Sequence, residues 1–349
     1  MNVRVSTRSK MKTNSGALAA MLLLAACTLP AQQKPAVLRV GYFPNITHAQ
    51  ALVGRANGQF EKTLGPGVRL EWKAFNAGPA AIEALFANAI DLAYVGPNPT
   101  VAGYVRSQGQ AVRVIAGAAS GGASLVVRKD AGIRGAADFH GKKVATPQLG
   151  NTQDVALRSW MRANGLKARE KGGDVQVIPI ANPDQLTLFL KGQIDAAWAP
   201  EPWAARLVHE GGGRIFLDER DLWPDHQFVI TNVIVNPKYL KEHADVVKGF
   251  LQAHVALTDW INKNAIQARQ LLNHQLQKET GKPLAPEVLD DAFSRMQVTY
   301  DPIRTSLLKS TDQAFDEGFL GRNRPDLSGL YDLTLLNEVL RENKARPVQ

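Results

Sequence analysis

Cysteine is almost missing from this sequence: Cys27 stands alone among 349 residues. A disulfide framework and a cysteine-built zinc site are therefore both excluded within one chain. The seven histidines are scattered, with no H-E-x-x-H pair, and the chain has neither a G-x-S-x-G elbow nor the Gly-Lys-Ser/Thr of a phosphate loop. No nucleophile stands beside a base, so the residues favour binding over catalysis, and no catalytic residue, metal or cofactor is expected. Basic runs are also lacking. Of the 41 Lys and Arg residues, Arg4, Arg8, Lys10 and Lys12 precede residue 27 with no acidic residue among them. Beyond that segment 37 basic residues face 32 acidic ones, spread along the chain without interleaved aromatics, so a nucleic-acid groove is not expected.

Membrane-spanning runs are absent as well. Gly16–Ala26 is apolar for 11 residues, whereas a spanning helix takes about 20. A basic segment followed by a short apolar one reads as a secretory signal peptide over residues 1–26. Its end, Leu24-Ala25-Ala26-Cys27, resembles a bacterial lipobox, which makes Cys27 the expected lipidation site and new N-terminus. Residues 27–36 then read as a tether. The expected product is exported and lipid-anchored at the cell membrane or in the periplasm.

What is present is alternation. From Val37 short β-rich runs alternate with amphipathic stretches, which predicts an α/β protein. Strands are expected at Val37–Phe43, Arg69–Phe75, Asp91–Val95, Val112–Ala118, Leu125–Lys129, Lys143–Thr146, Val175–Ile180, Ala196–Ala199 and Phe228–Asn236. Helices follow after Asn236. Residues 80–100 and 184–204 echo each other: a helix carrying Leu-Phe, an Ile-Asp turn, a short aromatic-bearing strand, then Pro97-Asn98-Pro99 or Pro200-Glu201-Pro202. The repeat suggests two similar lobes, with Asn98 and Glu201 at matching strand-to-helix turns, where open α/β sheets bind ligands. Each proline pair also suits a plain helix start.

Four stretches offer polar groups at such turns. Gly41–His48 brings Tyr42, Phe43, Asn45 and His48 to the end of the first strand, facing either core or ligand. Ser120–Ser124 places Gly121 and Gly122 between two strands, suited either to anion-facing main-chain N–H groups or to a flexible crossing. Pro147–Asp154 delivers Gln148, Asn151 and Thr152 to a helix N-terminus, which is an anion site or a simple cap. At Ala199–Trp203, Glu201 could hold an ammonium or accept N–H bonds at a helix start, while Trp203 could wall an alkyl or aromatic tail.

Taken in order, the stretches GYFPNITHAQALVG, IDLAYVGPNPTVAGY, AGAASGGASLVVRK, GKKVATPQLGNTQD, DQLTLFLKGQIDAAWAPEPWA and LWPDHQFVITNVIVNPKYL resemble the solute-binding lipoproteins of ABC importers for aliphatic sulfonates, within the nitrate/sulfonate/taurine/bicarbonate group. The resemblance covers nearly all of residues 38–260. It implies a type II periplasmic-binding-protein-like fold with two crossing hinge strands and a ligand buried between lobes. The first lobe would be 37–123 plus 233–349, and the second 124–232. It also implies an aliphatic sulfonate or taurine-like oxoanion as the small-molecule ligand, permease subunits with a cytoplasmic ATPase as partners, and a monomer. Carried over to this sequence, the ligand-binding candidates are Asn45, Asn98, Gly121, Gly122, Gln148, Asn151, Thr152, Glu201, Trp203 and Thr231, with Tyr42, Phe43 and His48 behind them. The alternatives are nitrate or bicarbonate, a heterocyclic vitamin precursor, or an enzyme like the thiamine-pyrimidine synthases, which carry a cysteine-rich segment that is missing here.

Overall fold

β-branched and aromatic residues in short runs build two sheets in the computed structural model, which describes residues 1–9 and 35–349. The apolar run read above as part of a signal peptide, and Cys27, lie outside the described residues. Residues 1–35 and 36–349 form separate units, and residues 1–9 contain no helix or strand. The strands are β1 (Ala36–Tyr42), β2 (Val68–Ala74), β3 (Leu92–Val95), β4 (Arg113–Gly121), β5 (Ala123–Arg128) and β6 (Lys143–Thr146). They continue with β7 (Gln176–Pro179), β8 (Ala196–Pro200), β9 (Gly213–Asp218), β10 (Val229–Val235) and β11 (Met296–Val298).

One sheet runs β11-β4-β10-β3-β1-β2 and the other β7-β6-β8-β5-β9. In the first, β1 pairs in parallel with β2 and β3, and β10 closes the parallel set as an antiparallel neighbour of β3. In the second, β6 pairs in parallel with β7 and β8, and β5 closes that set in the same way. The order β10-β3-β1-β2 is thus repeated as β5-β8-β6-β7. The Pro-X-Pro echo marks one corner of this repeat, following β3 in one sheet and β8 in the other. Each sheet with its helices makes a lobe of a mixed α/β, two-lobed fold.

The chain passes from the first sheet to the second at Gly122 and returns between Asp218 and Val229. β10 is already paired with β4 at Val229, so Thr231 belongs to a strand of the first sheet. Gly121 and Gly122 hold φ of 72° and 81°, the left-handed conformation that glycine adopts without steric cost.

Each sheet has its own core, and the two meet at the edges: Ala119 and Ile230 of the first sheet join the second sheet's cluster, and Val155 joins Val95 and Leu307. Leu38, Val40, Leu92, Tyr94 and Val233 pack with the helix Ala244–Lys263, whose Val247, Phe250, Leu251, Leu257 and Ile261 recur at helical spacing on its buried face. Phe139, Trp160, Trp198 and Leu125 form a core of the second sheet. Each such side chain contributes roughly 1.5–3 kcal/mol of burial. The helix Arg304–Asp316 lies against both the Pro97–Arg106 and Thr152–Ala163 helices, which belong to different lobes. Among the described residues no helix is long and apolar enough to cross a membrane.

Candidate functional site

The parallel strands of both sheets end on a common space. Loops after β1, β2 and β3 meet loops after β6, β7 and β8 around a cavity of about 30 Å³. That volume exceeds the roughly 10–15 Å³ that one water requires, and it suits a small polar head group. From the first lobe come Phe43, Asn45, Thr47 and His48 after β1, Asn76 to Gly78 after β2, and Gly96 and Pro99 after β3. From the second come Pro147 and Asn151 to Gln153 after β6, Asn182 after β7 and Pro200 at the end of β8, while Ile230 and Thr231 of β10 complete the wall.

Four helices begin at this wall: Gly78–Phe86, Pro97–Arg106, Thr152–Ala163 and Asn182–Leu190. The first turn of a helix has N–H groups without intrahelical partners and carries the positive end of the macrodipole. The N–H groups of Gly78, Thr152 and Gln153 donate to no other group among the described residues. Pro97 and Pro99 supply no N–H, so the second helix contributes mainly its dipole. Among the described residues no Lys, Arg, Asp or Glu lines the cavity. Such a site attracts a negative charge through oriented dipoles and neutral donors rather than through a counter-ion.

His48 fits that description. Its Nδ1 accepts the Phe43 N–H at 3.3 Å, which leaves the proton on Nε2. Burial pushes its pKa down to about 3, so the ring is a neutral donor at ordinary pH. Asn151 has two duties: its Oδ1 accepts the Asp154 N–H at 2.9 Å and caps the Thr152–Ala163 helix. Asp154 also accepts from Thr146 Oγ1 at 3.0 Å, from the Gly150 N–H at 2.9 Å and from Arg158 at 3.1 Å. The helix start is thereby fixed from behind.

A larger chamber of about 580 Å³ adjoins the cavity and shares Asn45, Asn76 and Asn182 with it. Its walls include Tyr42, Phe75, Pro183 and Trp203, with Arg206 and Glu279 as charged lining residues. Glu279 is already engaged by Arg55 and by Gln275 Nε2, the latter at 2.7 Å. The Trp203 indole N–H donates to Asn45 Oδ1 at 2.9 Å, and this bond joins the two lobes.

The expected site residues divide accordingly. Phe43, Asn45, His48, Asn151, Thr152 and Thr231 meet at the inner cavity, and Tyr42 and Trp203 face the outer chamber. Five others lie elsewhere. Asn98 is bonded to Ser310, giving from Nδ2 to its carbonyl at 3.2 Å and accepting from its hydroxyl at 2.8 Å, so it fastens the Arg304–Asp316 helix. The N–H groups of Gly121 and Gly122 donate to the carbonyls of Phe228 and Arg295 at 3.1 and 2.8 Å. They are spent on the crossing and are not available to an anion. Gln148 is half-buried outside the cavity, and its carbonyl accepts the Asn151 N–H at 3.1 Å.

Glu201 is the largest departure. It is fully buried, its Oε2 accepts the Ala205 N–H at 3.0 Å, and its Oε1 faces Arg295 at 3.4 Å. Burial raises its pKa to about 7, against the pull of the Ala205 N–H and of Arg295. This is the helix-start role, and it leaves no ammonium clamp at this position.

Thr47, Asn76, Gly78, Gln153 and Asn182 were not singled out from the sequence. Extending the internal echo a few residues upstream, to Phe75-Asn76-Ala77-Gly78-Pro79 and Ile180-Ala181-Asn182-Pro183, would have found the paired asparagines after β2 and β7.

Two lobes of repeated topology, closing strand ends and helix N-termini on a neutral cavity, define the class: a two-lobed binding-protein fold of the periplasmic type. The chain belongs to the NMT1-like family, whose model matches residues 31–272. A protein of Escherichia coli strain K12 named for binding aliphatic sulfonates is 24% identical over 300 residues, covering 86% of this chain and 89% of that one. The alkanesulfonate-binding protein of Xanthomonas axonopodis pv. citri, solved bound to MOPS, superposes with a TM-score of 0.71 at 20% identity, covering 86% of this chain and 99% of that one. The periplasmic nitrate-binding protein of Synechocystis superposes with a TM-score of 0.74 at 14% identity, covering 88% of this chain and 89% of that one.

Proposed function

We propose that this chain is the exported solute-binding component of an ABC importer and that it captures an organic sulfonate between its lobes for delivery to a membrane permease driven by a cytoplasmic ATPase. The observation that carries this reading is the neutral cavity ringed by four helix N-termini from both lobes. The sulfonate head sits there, receiving N–H groups of Gly78, Thr152 and Gln153, the Nε2 proton of His48 and the hydroxyls of Thr47, Thr152 and Thr231. Donors come from both sides, so closure gains bonds that the open form lacks, and ligand shifts the population toward the closed state. The adjoining chamber, with walls of Tyr42, Phe75 and Trp203, takes the carbon chain, which favours a substituted oxoanion over bare nitrate or bicarbonate. The lipobox at Cys27 supports anchoring of the monomer to the membrane by lipid.

Each hydrogen bond to a charged head is worth about 1.5–3 kcal/mol. A handful, after ordering costs, gives micromolar affinity, about −8 kcal/mol. Calorimetry with ethanesulfonate, taurine, nitrate and bicarbonate tests the reading. The sulfonates should bind with micromolar affinity and the bare anions about tenfold or more weaker. Equal or tighter binding of nitrate would transfer the assignment to small anions, and failure of every anion to bind would overturn it.

A further inference from the structure

The inner cavity and the outer chamber meet at three asparagines, Asn45 and Asn76 from the first lobe and Asn182 from the second. Asn45 follows β1, whereas Trp203 opens the helix after β8, so their 2.9 Å bond spans the cleft and exists only when the lobes are together. Trp203 is held from its own side. Arg206 lies 4.7 Å above the indole ring and is itself paired to Glu210 at 2.7 Å. Because Asn45 Oδ1 is taken by the indole, the amide turns its Nδ2 donor away from Trp203, and Asn45 also lines the inner cavity. Asn182 Oδ1, buried at the same ring, has no hydrogen-bond partner among the described residues.

We propose that the Asn45–Trp203 bond is a gate between a head-group cavity and a tail chamber, and that it sorts sulfonates by the chain behind the head. This inference rests on the sulfonate reading above. A ligand with a one-carbon tail ends at the asparagine ring, so the bond forms behind it and the closed state keeps that contact. A long chain must pass through the ring to reach the chamber. It separates the indole from the amide and lies along the ring face of Trp203 instead. Short ligands therefore depend on the indole N–H, and long ligands on the indole surface. Trp203 is a positioning residue: it orients Asn45 and takes no part in binding the head directly.

Trp203→Phe removes the N–H and keeps an aromatic wall. Calorimetry of wild type and variant with methanesulfonate and octanesulfonate measures both dependences, and circular dichroism melting checks that the variant folds. The variant should lose about tenfold for methanesulfonate, the loss of one well-placed hydrogen bond, and distinctly less for octanesulfonate. The affinity ratio then shifts toward the long ligand by about fivefold or more. Crystals of the wild-type protein give a second test that needs no variant. With methanesulfonate the Nε1–Oδ1 distance should stay near its present value, and with octanesulfonate it should exceed hydrogen-bond range. An unchanged ratio, or an intact bond beside a threaded chain, overturns the gate alone. If neither sulfonate binds the wild-type protein, the sulfonate reading falls and takes the gate with it.

Discussion

Glu201 shows how one side chain can suit two roles in sequence and fill one of them in space. A carboxylate after Pro200 at a strand end reads equally as a ligand for an amine or as the cap of the next helix. The bonds to the Ala205 N–H and Arg295 make it the latter. Its carboxyl is raised from 4.5 to about 7 by burial, so the folded protein holds that proton more tightly than the unfolded chain does. The stability this group contributes is complete below about pH 4.5 and is lost as the pH rises through about 7. His48 and His254 run the other way. Burial lowers them to about 3 and about 4, so their contribution is complete above the ordinary histidine value and is lost as the pH falls through those lowered values. Glu201→Gln keeps an oxygen for Ala205 and removes the titration. The expected result, read by thermal melting, is a variant whose stability relative to wild type improves between pH 5 and pH 8, by on the order of 3 kcal/mol at most. A constant difference across that range would contradict the buried-acid assignment.

Most of the elements were legible in the sequence, because alternation and apolar spacing act locally. The expected strand at Lys143–Thr146 is observed unchanged, and those at Val37–Phe43 and Arg69–Phe75 are each displaced by one residue. Two strands escaped notice. β9 starts in a run of three glycines and is partly exposed at a sheet edge, while β11 has three residues and depends on pairing with β4. Contacts between lobes leave no local trace in the chain at all. Gly96, after β3, illustrates this. A Cβ there would lie 2.3 Å from Thr152 Oγ1, at the start of a helix in the other lobe. Its φ of −69° suits any residue, so glycine is required by close approach and not by backbone conformation. Gly96→Ala should therefore hinder closure and weaken sulfonate binding about tenfold or more, as overpacking a tight contact costs about 1–3 kcal/mol. The Gly96→Ala/Thr152→Ala pair should lose much less than the two single losses combined. A double-mutant cycle by calorimetry decides it, and strictly additive losses would show that the two residues do not meet in the bound state.

For the molecule as a whole, the repeat is what connects sequence to site. Two lobes with the same strand order, β10-β3-β1-β2 and β5-β8-β6-β7, present equivalent corners to one another, and each corner delivers a helix N-terminus or a short polar side chain. The sequence revealed one pair of equivalent corners, and it drew attention to Asn98 and Glu201. The structure uses those two behind the wall and gives the cavity the asparagines and threonines of the neighbouring corners. A charge-free lining also explains why no charged anion-binding motif stood out, since main-chain N–H groups have no letter of their own. On the proposed reading, this lining holds an oxidised sulfur head between the lobes. Crystals grown with ethanesulfonate and measured at long wavelength would locate the ligand's sulfur by its anomalous signal. The expected peak lies between Thr47 and His48 on one side and Thr152 and Gln153 on the other. A peak elsewhere on the protein, with no sulfur between the lobes, would contradict it.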